Sequence, residues 1–367
     1  MKILIIRLGS IGDVVLTTSV IAALKLSHPN ANLDFLVKKE YHELLLGNPN
    51  LRRIIPFDGS RHMGLKGLLE IAGELRKEGY THVIDLHGNL RSRVISALIP
   101  GSKILRYDKQ TLRRRLLLHG FRPNTKHTLD AYLSALPPPG VRDSFKIPHN
   151  PPFPKGETLS PFFEKRGDGR FLKSEAVPTI YLSLEEEKGA ASFIAQHSVS
   201  EGSTIVGLNP GARWQTKRWL EDGFIELGKM AVAELGAKVL IFGGPDEVEL
   251  SERVSGGIGI DAFSVAGKTG LRETAALIKR CSVFVTNDSG PMHMATAVGT
   301  PVVAIFGPTV RGFGFSPLGK SVVVESELKC RPCTLHGSDR CPKGHFECMK
   351  KITADSVFER VKGMVRP

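Results

Sequence analysis

Lys2-Ile3-Leu4-Ile5-Ile6-Arg7 runs into Leu8-Gly9-Ser10-Ile11-Gly12-Asp13, and an apolar helical pattern follows from Val14 to Leu26. This reads as strand, glycine turn, helix. Glycines at a strand end let a ligand approach the backbone, and the first turn of the helix offers amides with no partner of their own. Working outward, Asn32 to Val37, Arg52 to Phe57, Thr81 to Leu86 and Lys103 to Arg106 are further strand candidates. Helical stretches around Leu65 to Lys77 and Leu90 to Leu98 lie between them. Such alternation predicts a parallel sheet covered on both faces.

The pattern stops at Ala135-Leu136-Pro137-Pro138-Pro139-Gly140, and a proline- and charge-rich connection runs from there to 177. Strands then resume at Thr204 to Leu208, Lys238 to Phe242, Val283 to Thr286 and Pro301 to Phe306. Helices are expected near Asp222 to Leu235, Glu247 to Val254, Leu271 to Lys279 and Met292 to Val298. The expectation is two doubly wound α/β domains, 1–177 and 178–352, with a docking helix in 353–367. Open α/β sheets bind ligands outside the carboxyl ends of their strands, so the two are expected to face each other across a cleft.

The 367 residues suit two cores better than one. A 41% hydrophobic and 24% charged composition is globular and excludes a wholly disordered or collagen-like chain. No segment reaches the roughly 20 apolar residues of a membrane span. The start lacks the apolar core and cleavage site of a signal peptide, so a cytoplasmic location is expected. Fifty Lys and Arg against thirty-seven Asp and Glu give a net charge of +13, which favours an anionic partner. Aromatics make up only 7%, and no nucleic-acid-binding module is recognisable, so nucleic acid is not expected.

Several positions stand where chemistry would need them. Asp13 is a carboxylate at a strand-end turn, suited to general-base work or to serving only as a helix cap. Gly12 beside it leaves room for a ligand. Neither a full G-x-G-x-x-G nor a P-loop lysine is present, which disfavours dinucleotide or ATP chemistry. Asn209 to Trp219 holds Arg213, Lys217, Arg218 and both tryptophans of the chain. Its cations suit a diphosphate held without a metal, or a solvated basic loop packed by indoles. Glu247, in Phe242-Gly243-Gly244-Pro245-Asp246-Glu247, suits a ribose hydroxyl or a helix dipole. In Asn287-Asp288-Ser289-Gly290-Pro291-Met292-His293, Asp288, Ser289 and Gly290 precede a helix that would meet an anion; His293 suits a ligand or a packing role.

Two further clusters are spelled out by spacing. Cys330-x2-Cys333-x7-Cys341-x6-Cys348 supplies soft ligands for a structural Zn²⁺ or for an iron–sulfur cluster, or else holds reduced structural thiols or a disulfide. Arg91, Arg113, Arg114 and Arg115, with Leu116 to Leu118, combine basic and aliphatic character and suit an acidic amphiphile at a membrane surface. A plain solvated helix face is the other reading.

Taken in order, the Arg7 to Asp13 turn, Asp85-Leu86-His87-Gly88-Asn89-Leu90-Arg91-Ser92, the Gly211 to Trp219 loop, Phe242 to Glu247 and Asp288 to Thr309 resemble glycosyltransferase family 9. These are the heptosyltransferases of lipopolysaccharide core synthesis, and the pattern is closest to members adding the second heptose. The resemblance spans nearly the whole chain. It implies the GT-B arrangement of two Rossmann-like domains, with the acceptor mainly in the first and the nucleotide sugar mainly in the second. It also implies Asp13 as general base, Lys217 neutralising the diphosphate, and Asp288, Ser289, Gly290, His293 and Glu247 at the donor. No cofactor is implied for catalysis. The implied partners are ADP-heptose and a Kdo-bearing inner core at the cytoplasmic leaflet, where the enzyme would be peripheral. A sugar-nucleotide epimerase on the same scaffold, or a basic lipid- or nucleic-acid-binding protein, are the other readings.

Overall fold

A computed structural model describes residues 1–136, 177–197, 199–200 and 202–365. The proline-rich connection expected over 137–177 lies, Val177 apart, outside the described residues. The chain divides into two compact units. Residues 1–110, 126–136 and 177–181 belong to the first; residues 111–125 and the described residues from 182 onward belong to the second.

The first unit opens with β1 (Lys2–Ile6) and α1 (Ile11–Ser27), then β2 (Asn32–Lys38), β3 (Arg53–Phe57), α2 (Gly64–Arg76), β4 (His82–Asp85), α3 (Leu90–Ala97) and β5 (Lys103–Arg106). After α4 (Thr111–Leu118), which belongs to the second unit, the chain returns with α5 (Thr128–Leu133). All five strands are parallel, in the order β3-β2-β1-β4-β5. Ile3 to Ile6 are fully buried without alternation, as expected for a strand with helices on both faces. Ile6 registers with Asp85 of β4, so the loops leaving β1 and β4 emerge side by side. The strand order reverses there, and an open α/β sheet offers its ligand crevice at such a switch.

The second unit contains α6 (Leu184–Gln196), β6 (Ile205–Asn209), α7 (Glu221–Leu235), β7 (Lys238–Ile241), α8 (Val248–Ile258), β8 (Ala262–Ser264) and α9 (Leu271–Arg280). It continues with β9 (Val283–Asn287), α10 (Gly290–Ala297), β10 (Val302–Phe306), β11 (Ser321–Glu325), α11 (Glu347–Lys350) and α12 (Ala354–Val365). Its parallel sheet is ordered β11-β10-β9-β6-β7-β8, with the reversal between β6 and β9. The terminal α12 buries Val357, Phe358, Val361 and Met364 in the core cluster that also takes in Phe224 of α7 and Val303 of β10. Each such apolar side chain is worth about 1.5–3 kcal/mol when removed from water, so this amphipathic helix is part of the second core.

Residues 111–125, read from sequence as part of the first domain, cluster with the second. The reason is local. Thr125 Oγ1 donates to the Gly312 carbonyl at 2.6 Å, and the Arg114 guanidinium lies over the Phe315 ring at 4.8 Å. Among the described residues no helix is long and apolar enough to cross a membrane.

Candidate active site

In the first unit the site grows out of β1. Gly9 must be glycine: a Cβ there would meet Tyr41 Cε2 at 2.6 Å. This close passage brings the chain into α1 with Asp13 in the first turn, where the helix dipole favours a carboxylate. Asp13 Oδ1 accepts from Tyr132 Oη at 2.9 Å, and Oδ2 accepts from Ser10 Oγ at 3.1 Å. The buried Arg7 at the end of β1 is ion-paired to the same carboxylate. Its guanidinium also donates to the Leu86 carbonyl at 2.6 Å and lies 5.7 Å from the centre of the Tyr132 ring. Burial works against the charge on Arg7, but Asp13 together with Tyr132 and Tyr107 outweighs it and holds the guanidinium above its ordinary pKa. Burial first, and then Asp13, push Tyr132 well above the ordinary phenol range, so its hydroxyl stays a donor.

The loop leaving β4 is organised by Asp85. That fully buried carboxylate accepts from the amides of His87 (3.0 Å) and Gly88 (2.7 Å) and from Ser92 Oγ (3.0 Å). The Asp85-to-Ser92 motif is therefore a folded turn that presents His87. Burial, then the charges of Arg7 and Lys109, depress His87 to about 4, leaving its imidazole neutral at physiological pH. Lys109 is depressed too, by burial and then by Arg7. Arg91 is exposed on α3. Arg113 and Arg115 are exposed on α4, which the structure groups with the second unit, so the four arginines do not form one patch within one unit.

In the second unit the loop after β6 is tied down by two buried asparagines. Asn287 Oδ1 accepts from the Trp219 amide at 3.0 Å, while its Nδ2 donates to Pro210 O at 2.9 Å. Asn209 Nδ2 donates to Gly211 O at 3.1 Å. Trp219 is a core residue, its indole bonded to Ile352 O at 3.0 Å; Trp214 carries the exposed Arg213 5.5 Å from its ring. Lys217 Nζ is 2.6 Å from Asp288 Oδ2, an oxygen that also accepts from Thr309 Oγ1 at 2.7 Å. Arg218 donates to Ala212 O at 2.8 Å and lies 4.0 Å from Glu247. Glu247 accepts from the Gly244 amide at 3.0 Å, and Gly211 packs so close to its carboxylate that a Cβ there would have to displace it. Ser289 precedes α10 without capping it, and its hydroxyl is 3.2 Å from Thr286 Oγ1, so the first amides of α10 keep their donors. His293 is buried within α10. Lys217, Asp288 and Ser289 thus gather at the reversal between β6 and β9, while Arg218 and Glu247 form a second group beside it.

A family model described as glycosyltransferase family 9 (heptosyltransferase) matches residues 170–342. Lipooligosaccharide heptosyltransferase 2 of Haemophilus influenzae is 28% identical over 383 residues, covering 100% of this chain and 99% of its own. Along its length the chain is similar to glycosyltransferase family 9. A family 9 structure from Veillonella parvula superposes with a TM-score of 0.77 at 23% identity, covering 99% of this chain and 97% of that one. The structure of Escherichia coli ADP-heptose heptosyltransferase II does so with a TM-score of 0.71 at 22% identity, covering 100% and 98%. The fold is GT-B, and this glycosyltransferase places Asp13 and Lys217 each at the switch point of its own sheet.

The cysteine-rich segment is woven into the same unit. Thr216 N and Oγ1 donate to Ser338 O at 3.0 and 2.8 Å, and Ser338 N returns a bond to Thr216 Oγ1 at 2.9 Å. Arg331 donates to Phe306 O at 3.1 Å and Thr309 O at 2.8 Å. The segment therefore braces the loops bearing Lys217 and Thr309. Its four cysteines are free thiols, with Cys330 Sγ 3.8 Å from His345 Nε2. Burial raises Cys333, and it raises Cys348 to about 11. At Cys341 burial is overcome by the amides of Phe346, Lys343, Gly344 and His345, which lower the thiol below its ordinary value. Among the described residues no three His, Cys, Asp or Glu side chains converge closely enough to hold a metal ion.

Proposed function

We propose that this glycosyltransferase moves heptose from ADP-heptose to the inner core of lipopolysaccharide, inverting the anomeric configuration, with Asp13 as general base. The observation that carries the reading is the carboxylate of Asp13, paired with Arg7 at the switch point of one sheet. In its own sheet the second unit sets a cation and the uncapped start of α10 at the switch point. Lys217, Arg218 and the start of α10 then stabilise the departing diphosphate, a task that preorganised donors perform without a metal. Glu247 and Asp288 orient the nucleoside and sugar, with Gly290 and His293 shaping the donor side and Gly12 the acceptor side. Arg213 and the arginines 91 and 113–115 supply positive charge toward an anionic acceptor at the cytoplasmic leaflet, with Lys109 added to their number.

The test is product analysis by mass spectrometry. Protein, ADP-heptose and a Kdo-bearing acceptor are expected to give ADP and an acceptor heavier by one heptose, at the same rate with EDTA or Mg²⁺ added. Conversion of the nucleotide sugar without acceptor would point instead to an epimerase.

We further propose a structural zinc ion held by Cys330, Cys333, Cys341 and Cys348. The donor set suits zinc, and amides turned toward the Cys341 sulfur favour its thiolate form. The thiols must rotate together to bind it. Protein purified without chelator should carry about one equivalent of zinc, and Cys333→Ser with Cys341→Ser should lose it and lower the Tm. A metal-free protein with unchanged Tm rejects the site.

A further inference from the structure

Ser10 stands at the N-cap of α1 with extended backbone, φ −85° and ψ −175°. A serine there ordinarily turns its oxygen to a helix amide two or three residues on. Here the side chain makes no capping bond; the exposed hydroxyl is given to Asp13 Oδ2 instead. The other oxygen, Oδ1, is held from inside by Tyr132, which is completely buried on α5 and set edge-on to Tyr107 at 4.8 Å. The carboxylate is thus held at Oδ1 by an immobile phenol, while Oδ2 faces both the buried Arg7 guanidinium and a hydroxyl at the surface.

We propose that Tyr132 is a positioning residue fixing Asp13 Oδ1, and that the Ser10 hydroxyl holds on Oδ2 the place an acceptor hydroxyl takes during transfer. The inference rests on Asp13 being the base. In the step, the acceptor oxygen bonds to the anomeric carbon and passes its proton to Asp13 Oδ2. The bond from that carbon to the diphosphate oxygen breaks, and its electron pair leaves with the nucleoside diphosphate. An alcohol bonding to an oxocarbenium-like carbon becomes strongly acidic, so a carboxylate suffices to take its proton. What remains limiting is orientation, since the gain from a positioned base depends on reach and angle.

The charged and titratable groups that face Asp13 are Arg7 from β1, Tyr132 from α5, and His87 and Lys109 from the loops after β4 and β5, with Ser10 donating to it and Tyr107 packed on Tyr132. Tyr132→Phe removes one hydroxyl and keeps the ring under Arg7. We expect kcat to fall about tenfold, with KM for both substrates within twofold. The acidic limb of the kcat/KM profile should move up by about half a pH unit or more, because the carboxylate loses a bond that favours its charged form. Incorporating 3-fluorotyrosine at 132, a stronger donor, should move that limb down. Ser10→Ala should raise kcat/KM for the acceptor about threefold by removing a competitor for Oδ2.

An unmoved limb in both the Phe and the fluorotyrosine proteins, whether or not the Tm drops, assigns Tyr132 a packing role and overturns the positioning claim. An unchanged or lower kcat/KM in Ser10→Ala overturns the displacement claim. If Asp13→Asn keeps its turnover, the base assignment itself fails. If Asp13→Asn is inactive while the Tyr132 proteins behave as wild type, only this inference fails.

Discussion

Asp13→Asn is expected to lower kcat about a thousandfold while leaving the affinity for the nucleotide unchanged. An amide of the same shape keeps Oδ1 as an acceptor for Tyr132 but cannot take a proton, and a positioned general base typically contributes 10²–10⁴ in rate. The nucleotide-binding candidates Lys217, Glu247 and Asp288 belong to a different unit of the chain, so ADP titration by calorimetry should give the wild-type Kd. Stability should also suffer. Arg7 is buried, and its counter-ion would be replaced by a neutral group. Leaving a buried charge uncompensated costs several kcal/mol in unfavourable cases, and the partial exposure of Asp13 places this one lower, at about 1–2 kcal/mol. A lowered Tm with an intact ADP Kd separates this outcome from unfolding. Wild-type kcat rejects the assignment of the base.

The pieces of this site differ in how far they could be read from the residues alone. Lys2 to Asp13 announces strand, turn and helix because an apolar run with no alternation, ending in glycines, has few other solutions. The segment from Asn287 to His293 is legible for the same reason. Strand order is not local information, so the reversal points at which Asp13 and Lys217 stand emerge only from the pairing of β1 with β4 and of β6 with β9. Tyr132 lies 119 residues from the carboxylate it touches and sits in a short helix with no marked pattern. No spacing rule could have found it. The sequence leaves open whether the tryptophans beside three cations pack the loop, and the Ile352 carbonyl and Phe224 claim Trp219 for the core. Asp85 and Asn287 illustrate the converse: polar residues in conspicuous motifs that spend their hydrogen bonds on structure, Asp85 on its own turn and Asn287 on the backbone of the loop after β6.

Lys217→Met is expected to be the other severe lesion, lowering kcat about 10²- to 10³-fold and raising the donor KM about tenfold. Lys217 is 15% exposed and Asp288 11%, so their 2.6 Å contact operates with little solvent screening. An ammonium has three donors, and Asp288 does not exhaust them, which leaves Lys217 able to meet a phosphate oxygen while staying anchored. Removing it withdraws a positive charge from where negative charge develops on the leaving diphosphate, a class of loss that costs 10²–10³ in kcat for a single donor. It also leaves the Asp288 carboxylate with Thr309 as its remaining side-chain donor shown here, and that bare charge would repel the same diphosphate. The two effects can be separated. Lys217→Met combined with Asp288→Asn should be less impaired in donor KM than the two single changes predict together, because the repulsion disappears with the carboxylate. Strict additivity in that cycle, measured by steady-state kinetics with the donor varied, would mean that Lys217 acts on the diphosphate independently of Asp288.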